Sequence, residues 1–136
     1  MSAKGITTAA TALCAAATAA LALVAASPAS AASAGETTYK GCRPGNVCLY
    51  KGDLSENYLY YQTPGKVPDG KSFWVIVNNG RQQQGSDHVH FEYQYYGTSK
   101  WYSKCLHFYP GSGFKLDLRD GAVNAKIRNM YWGGEC

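Results

Sequence analysis

The sequence predicts an all-β fold, a small antiparallel Greek-key sandwich held together by disulfides. Three observations lead to this prediction. Runs of strand-forming residues recur between Gly, Pro, Asn and Asp turn signals, and no stretch shows a sustained apolar period of 3.6 residues. Four cysteines and all the aromatic residues follow position 34. Short strands separated by frequent turns are typical of β-sandwiches.

The chain begins with a segment whose composition differs from the rest. The first 34 of its 136 residues include 16 alanines. Lys4 precedes an uncharged Ala/Leu/Val run over 9–26, and Pro28 with the small residues ending at Ala34 completes the pattern of a secretory signal peptide. We predict cleavage after Ala34, export, and a single secreted domain over 35–136. The alternative is a retained membrane anchor, because the apolar run is about long enough to span a bilayer.

The cysteines of the predicted mature domain form an even set, Cys42, Cys48, Cys105 and Cys136. Disulfides persist in an oxidising compartment, and four cysteines allow three pairings. Pro and Gly at the centre of 43–46 predict a tight turn, which favours Cys42 with Cys48 and leaves Cys105 with Cys136. A zinc site is the alternative, but paired CxxC spacing is absent from the sequence.

Seven strands are predicted, and turn signals separate them. Their ranges are 46–51, 57–62, 73–78, 88–96, 105–109, 114–118 and 125–132. The turn signals are Lys51-Gly52-Asp53, Pro64-Gly65, Pro68-Asp69-Gly70, Asn78-Asn79-Gly80, Gly97-Thr98-Ser99, Pro110-Gly111-Ser112-Gly113 and Asp120-Gly121. Because the third run is continuously apolar from Phe73 to Val77, we expect it to be buried on both faces at the centre of a sheet.

The fourth and sixth predicted strands show a two-residue alternation. The apolar face of the fourth strand is expected to pack against the core: Val89, Phe91, Tyr93 and Tyr95. Its polar face is expected to meet water: His88, His90, Glu92 and Gln94. In the sixth strand, the apolar Phe114, Leu116 and Leu118 alternate with charged residues in the same way.

One motif on the polar face has metal-ligand spacing, His88-x-His90-x-Glu92. Residues two apart on a strand project together, and two imidazoles with a carboxylate can bind Zn²⁺ or Fe²⁺. A solvated strand face explains the same three residues, and this is the interpretation that the sequence favours. No cofactor is therefore expected.

Motifs for catalysis or nucleic-acid binding are missing. The sequence has no GxSxG elbow, and Ser86-Asp87-His88 is contiguous, whereas a nucleophilic triad is assembled from distant positions. Lys and Arg are scattered, despite a net charge of +4, so no basic stripe for nucleic acid is present. We expect a non-catalytic monomer that has no nucleic-acid partner and no membrane contact after the leader is removed.

The density of tyrosines supports a different hypothesis, a non-catalytic module that binds extracellular carbohydrate or cell wall. An exposed aromatic surface could stack on sugar rings, and its candidate residues are Tyr58, Tyr60, Tyr61, Tyr93, Tyr95, Tyr96, Trp101 and Tyr102. The domain has few Leu, Ile and Val residues to fill a core. We therefore expect most of these rings to be core residues.

The segment Cys42-Arg43-Pro44-Gly45-Asn46-Val47-Cys48-Leu49-Tyr50 resembles the opening of the small secreted actinobacterial proteins grouped with the Streptomyces metalloproteinase inhibitor, the peptidase inhibitors of family thirty-six. Four further patches are similar to a pattern in related exported proteins of these bacteria: Asn78-Asn79-Gly80, Gly85-x-Asp87-His88-Val89, Cys105-Leu106-His107 and Trp132-Gly133-Gly134-Glu135-Cys136. The resemblance implies a βγ-crystallin-like Greek-key fold. It also implies a secreted inhibitor whose partner is an extracellular protease, of the metalloprotease class first.

An inhibitor of this kind needs a stiff exposed loop that enters a protease cleft already in its bound shape. The candidate inhibitory loop is the turn between the first two cysteines, which consists of Arg43, Pro44, Gly45, Asn46 and Val47. A second candidate is the loop over 97–101. The alternative is that each bridge only holds a small domain together.

A calcium site is not favoured, because the acidic loop pattern that calcium needs is not evident.

Overall fold

The computed structural model describes residues 36–136, so the leader predicted for residues 1–34 lies outside the described residues. The described part contains eight β-strands and two single turns of 3-10 helix, and no α-helix. The all-β prediction is confirmed. Among residues 36–136, no helix has the length and apolar character needed to cross a membrane.

Two four-stranded antiparallel sheets form the fold. The strands are β1 Asn46–Tyr50, β2 Leu59–Thr63, β3 Ser72–Phe73, β4 Val75–Asn79, β5 His88–Tyr95, β6 Tyr102–Leu106, β7 Lys115–Asp117 and β8 Ala125–Gly133. One sheet has the order β2-β1-β4-β7 and the other β3-β8-β5-β6. The chain passes from one sheet to the other after β2, β3, β4, β6 and β7, which is consistent with a Greek-key sandwich.

The third predicted strand divides between the two sheets. Its last part is β4, which lies between β1 and β7 and has all five residues buried, as expected for a central strand. Its first residue, Phe73, belongs to β3 and pairs with Ala125 of β8. The crossing occurs at Trp74, whose backbone N–H donates to Tyr50 and whose carbonyl accepts from Leu118. An apolar run alone carries no sign of such a crossing.

Two groups of buried side chains make up the core. The larger group lies between the sheets, and its members include Val47, Leu49, Phe73, Ile76, Val89, Phe91, Leu106, Ile127 and Met130. The smaller group packs on the outer side of β1 and β4, and it consists of Cys42, Cys48, Tyr50, Val75 and Val77. Both faces of β4 are therefore covered, which explains why this strand has no polar alternation.

Both predicted disulfide pairings are confirmed. Cys42 and Cys48 have Cα atoms 5.8 Å apart, and Cys105 and Cys136 have Cα atoms 5.7 Å apart. The first bridge is buried in the smaller core group. The second joins β6 to the end of the chain, where Cys136 is exposed.

The polar face of β5 is less exposed than the alternation predicts. Val89 and Phe91 pack inward as expected, but His88 and Gln94 are buried as well, with 1% and 8% of their surface accessible. The expectation that His88 and Gln94 meet water is therefore wrong. The reason lies in a neighbouring loop: the predicted fifth strand, 105–109, instead occupies Tyr102–Leu106, and the segment after it folds over His88.

Candidate functional site

Two adjacent asparagines at the end of β4, Asn78 and Asn79, organise one end of the sandwich. Both are fully buried. Side chains alternate along a strand, so the two amides point to opposite faces of the sheet. Each amide holds a different surface loop, and the two loops are the candidate functional regions.

Asn79 holds the loop that the first disulfide closes. Its amide nitrogen donates to the carbonyl of Cys42 at 2.8 Å and to that of Thr37 at 2.9 Å. Its backbone carbonyl accepts from the N–H of Gly45 at 2.7 Å. The Arg43 N–H is bound in turn by the side-chain oxygen of Gln62 at 3.1 Å. The loop is thus fixed by a disulfide and by hydrogen bonds from several directions.

The exposed part of the predicted inhibitory loop is shorter than the sequence suggests. Val47 is fully buried within β1, so it cannot contact a partner directly, and Asn46 is the first residue of that strand. Arg43 is exposed, whereas Pro44 and Gly45 are half-buried. The surface that remains for recognition is therefore the segment 43–46.

A cleft of about 510 Å³ lies beside this segment. Its lining consists of Pro44, Gly45, Pro64, Arg81, Gln83, Ser86 and Trp132. Trp132 is held in place because its indole N–H donates to the carbonyl of Pro64 at 2.9 Å. A Cβ atom on Gly80 would lie 2.7 Å from the Trp132 ring, so only glycine lets the chain pass this close.

Asn78 holds a cluster of titratable side chains on the other side of β4. Its amide nitrogen donates to the carbonyls of Asp87, at 2.9 Å, and Leu106, at 3.1 Å. These two bonds bring the start of β5 next to the end of β6. The N–H of Gly80 donates to the Asn78 side-chain oxygen at 2.8 Å, so both ends of this amide are bound.

The cluster itself is a chain of three side chains, Asp87, His88 and His107. His88 Nδ1 lies 2.7 Å from Asp87 Oδ1, and His88 Nε2 lies 2.8 Å from His107 Nδ1. A Glu135 carboxylate oxygen is 3.5 Å from the same His88 Nε2. His88 is buried, while His107 and Glu135 are exposed. The cluster thus runs from the interior to the surface.

The structure gives the predicted trio His88, His90 and Glu92 separate hydrogen-bond partners. The Nε2 atom of His90 is 2.9 Å from the carbonyl of Gly134, which is a different partner from that of His88. Glu92 accepts hydrogen bonds from Asn129 and Arg128 at 2.8 and 2.7 Å, and these bonds hold the pKa of its carboxyl below the usual value. A β-bulge in β8 accompanies this arrangement, with Asn129 at a φ of +52°.

Asp87 and His88 pair although they are adjacent in sequence. This contact does not by itself make the nucleophilic triad that the sequence argued against. The third position of a nucleophilic triad would require a hydroxyl or thiol at His88 Nε2, and in the described structure the hydrogen-bond partner of that atom is His107. The arrangement is a polar chain between two imidazoles, which can hold a proton or a metal ion.

The tyrosines do not form one continuous exposed surface. Of the eight rings proposed for sugar stacking, only Tyr58 and Tyr96 are largely exposed. Tyr93, Tyr95 and Tyr102 pack against one another with ring centroids 5.4 to 5.5 Å apart. The expectation that most of these rings belong to the packed interior agrees with these contacts.

Cations cover several of the remaining rings. The Lys51 ammonium lies 4.4 Å from the Tyr60 ring, and the Lys71 ammonium lies 4.3 Å from the Tyr61 ring. Arg128 lies over Trp101 at 3.8 Å. These aromatic side chains therefore each have one face already occupied.

Sequence reasoning names Asn78, Asn79 and Glu135 only as turn or similarity residues and gives them no role at this end of the sandwich. The two asparagines precede a glycine, a pattern that predicts a turn, and their burial is the feature that identifies them as structural. The sequence places His107 in a strand. His107 follows Cys105 by two residues, and the predicted disulfide partner of Cys105 is Cys136. This spacing is the signal in the sequence that could have placed His107 near the C-terminal segment.

The chain matches no known family model, no curated protein and no solved structure.

Proposed function

We propose that this chain is a secreted, non-catalytic inhibitor of extracellular proteases, with metalloproteases as the first class to test, and that it acts through the segment 43–46. The observation that supports this proposal is the fixation of that segment. A buried disulfide closes it, and Asn79 and Gln62 bind its backbone. It is a short, partly exposed turn on a rigid frame.

Rigidity matters because a protease closes around an extended or tightly turned segment and immobilises it. A free peptide loses backbone entropy of about 1 to 2 kcal/mol per residue when it is fixed in this way. A segment that is already fixed avoids most of that cost, so more of its contact energy contributes to binding. The same fixation slows net cleavage, because the cleaved ends stay joined through Cys42 and Cys48.

The charged side chains of segment 43–46 and its neighbours indicate where a protease would contact the chain. Arg43 is exposed at the start of the segment, and the Arg81 side chain lies against Gly45, where a Cβ atom would be 3.8 Å from the Arg81 Nε. The cleft lined by Pro64 and Trp132 lies directly beside them. A basic segment next to a cleft that contains both apolar and polar side chains suits a protease rim that carries acidic and apolar side chains.

An extracellular location is part of the proposal. Support comes from the two disulfides, since disulfides are rare in reducing compartments. The leader-like composition of residues 1–34 points in the same direction.

The test is a titration of purified, disulfide-intact protein against a panel of thermolysin-like metalloproteases and trypsin-like and subtilisin-like serine proteases. We expect stoichiometric slowing of at least one enzyme at micromolar protein. Arg43→Ala should weaken that inhibition at least about tenfold, since Arg is a frequent hot-spot residue. No slowing of any enzyme in the panel would remove the proposal.

Lys100→Ala is the matched control, because Lys100 is an exposed cation in the other candidate loop, 97–101. It should leave inhibition unchanged. If Lys100→Ala abolishes inhibition and Arg43→Ala does not, the inhibitory surface is the 97–101 loop instead.

One observation favours a second candidate function, binding of an extracellular glycan. A groove of about 400 Å³ is lined by Tyr131 together with Glu92, Ser103 and Asn129. Tyr131 is 58% exposed, and its other face stacks on His90 at 4.9 Å. An aromatic ring beside amide, hydroxyl and carboxylate groups suits a sugar ring. Retention on insoluble peptidoglycan, chitin or cellulose that Tyr131→Ala abolishes would support this function, and an unbound protein on all three would exclude it.

A further inference from the structure

We propose that His88, His107 and Glu135 form a binding site for a divalent transition-metal ion that prefers imidazole ligands, Zn²⁺ or Cu²⁺. The ligand atoms are His88 Nε2, His107 Nδ1 and a carboxylate oxygen of Glu135. This proposal goes beyond the proposed inhibitory function and does not depend on it.

The first argument is the protonation of His88. An ionised carboxylate can only accept a hydrogen bond, so the proton of the 2.7 Å contact with Asp87 lies on His88 Nδ1. In the neutral ring, the lone pair is then on Nε2, which faces His107 and Glu135. A carboxylate that binds the far nitrogen of a histidine is the usual arrangement behind a metal-ligating imidazole, because it fixes the tautomer and the ring orientation.

The second argument is the distance between the ligand atoms. His88 Nε2 and His107 Nδ1 are 2.8 Å apart, and the Glu135 oxygen is 3.5 Å from His88 Nε2. A tetrahedral ion with bonds of about 2.0 Å holds its ligands about 3.3 Å apart. The two imidazoles therefore need to separate by about half an ångström, and the Glu135 oxygen is already at a suitable distance from His88 Nε2.

The third argument is the rigidity of the frame and the access to the site. The loop that carries His107 is closed by a hydrogen bond from the His107 N–H to the carbonyl of Gly113 at 3.2 Å. A Cβ atom on Gly113 would lie 3.1 Å from the His107 ring, so the ring packs directly against this glycine. The Glu135 side chain is 87% exposed, which leaves the outer side of the site open to an entering ion.

Proton balance follows from the same tautomers. In the free protein, His107 Nδ1–H donates to the lone pair of His88 Nε2. When a metal ion binds both atoms, that proton leaves Nδ1, and the exposed His107 ring takes up a proton at Nε2 from solvent. Neutral imidazoles thus bind the ion without a net change in proton number. A bound ion replaces one hydrogen bond with two metal–nitrogen bonds.

The test uses the purified, disulfide-intact protein and ZnCl₂, in a buffer that does not chelate metals, at about pH 7.5 where free imidazole is largely neutral. Calorimetry should show one Zn²⁺ per chain, and two-dimensional NMR should show shifts of the His88 and His107 ring signals. Copper(II) should bind more tightly than zinc, as divalent ions do at nitrogen sites.

The variants target exposed ligands, so folding is little affected. His107→Ala and Glu135→Gln should each weaken Zn²⁺ binding at least about tenfold, an effect that even outer-shell partners of a metal reach. Glu56→Gln is the matched control for Glu135→Gln, because Glu56 is an exposed carboxylate outside the cluster, and it should leave binding unchanged. Undetectable binding at millimolar Zn²⁺, or equal binding by His107→Ala and the unaltered chain, would overturn the proposal.

A second pair of variants tests the position of the site. The sulfur of Cys136 and the ligand atoms of both histidines lie within 4.8 Å of one another. Cys105→Ser and Cys136→Ser both break the same bridge. Only Cys105→Ser leaves a thiol beside His88 and His107, because the Cys105 sulfur lies next to His90 instead, 3.5 Å from its Nε2. Because thiolate is a strong ligand for zinc, Cys105→Ser should bind Zn²⁺ more tightly than Cys136→Ser. Equal affinities of these two variants would place the metal elsewhere.

Discussion

The two regions held by the end of β4 are stabilised in different ways. The segment 43–46 is closed by a buried bridge over six positions of sequence, and Asn79 binds its backbone. The histidine cluster joins parts of the chain that are far apart, and its bridge spans 31 positions. The first region is rigid by local closure. The second is assembled by tertiary contacts and depends on Asn78.

This difference separates the two proposed activities. A loop that is closed by its own disulfide and bound by Asn79 and Gln62 can serve as a recognition element even when the histidine cluster changes. A cluster whose members come from β5, the loop after β6 and the C-terminal segment responds to any change in how those parts are joined. We therefore expect variants of the two regions to differ both in stability and in which activity they affect.

The largest expected effect comes from removing the longer bridge. Cys105→Ala with Cys136→Ala should lower the free energy of unfolding by about 3.7 kcal/mol, and Cys42→Ala with Cys48→Ala by about 2.4 kcal/mol, because loop-closure entropy grows with the length enclosed. Urea denaturation of the two double variants measures the difference. A larger loss for the Cys42 and Cys48 pair would mean that burial of its sulfurs outweighs loop length.

The second prediction compares the two asparagines. Asn78→Ala removes three buried hydrogen bonds and should cost about 3 kcal/mol, at about 1 kcal/mol for each bond. Asn79→Ala removes two buried hydrogen bonds, but it also removes a buried side-chain oxygen that has no hydrogen-bond partner within the described residues. Losing that unpaired oxygen offsets part of the cost, so the free energy of unfolding should fall by about 1 kcal/mol. Denaturation curves give both values.

NMR spectra of the same variants provide the spatial readout. Asn78→Ala should shift the ring signals of His88 and His107, and Asn79→Ala should shift the amide of Gly45. If either variant disturbs both regions equally, the two asparagines do not act separately.

The third prediction concerns alkaline pH. Burial raises the pKa of Tyr50, whose hydroxyl donates to the carbonyls of Tyr39 and Lys40 beside the first disulfide. Burial, with a hydrogen bond to Tyr95, raises the pKa of Tyr93 to about 12. The unfolded chain loses these protons first, near pH 10. Stability is therefore complete below about pH 10 and is lost as the pH rises towards the folded values.

Thermal unfolding at a series of pH values measures this loss. Tyr50→Phe should lower stability at neutral pH but flatten the alkaline decline, since its hydroxyl no longer titrates. A decline of unchanged steepness in Tyr50→Phe would assign the alkaline sensitivity to the sheet that contains Tyr93.

The smallest effect is expected at Asp117, which lies apart from both regions. Hydrogen bonds from Arg119 hold the pKa of the Asp117 carboxyl below its usual value. The pair therefore contributes stability above about pH 4, the ordinary range of an aspartate, and this contribution is lost as the pH falls through the lower folded value. Asp117→Asn should cost less than about 1 kcal/mol at neutral pH, because the Arg119 side chain is 36% exposed.

Acid denaturation of Asp117→Asn checks this prediction, with inhibition and zinc binding measured in parallel. Both activities should be unchanged. A loss of either activity would show that this part of the surface belongs to the functional regions.

Several features are predictable because their signals are local. The turn between Cys42 and Cys48 follows from Pro and Gly at its centre, and this proximity also decides the second disulfide. The continuous apolar run correctly indicates a central strand at β4. Alternation locates the packed face of β5, since Val89 and Phe91 are buried.

Other features depend on contacts that no local pattern records. The crossing at Trp74 is set by backbone hydrogen bonds to Tyr50 and Leu118, which are far away in sequence. His88 is buried because a loop that follows β6 covers it, so its place on a polar face is misleading. Asn78 and Asn79 have the composition of a turn, but the neighbouring segments use them as buried hydrogen-bond donors.

The sequence by itself determined the all-β class, the approximate strands and both sulfur pairings, because periodicity, turn residues and loop length act over a few residues. The tertiary structure decided which polar residues meet. Asp87, His88, His107 and Glu135 come together only when β5, β6 and the C-terminal segment are folded against one another. The physical reason is that hydrogen bonds between distant segments form only after the sheets have packed and the competing water has been removed.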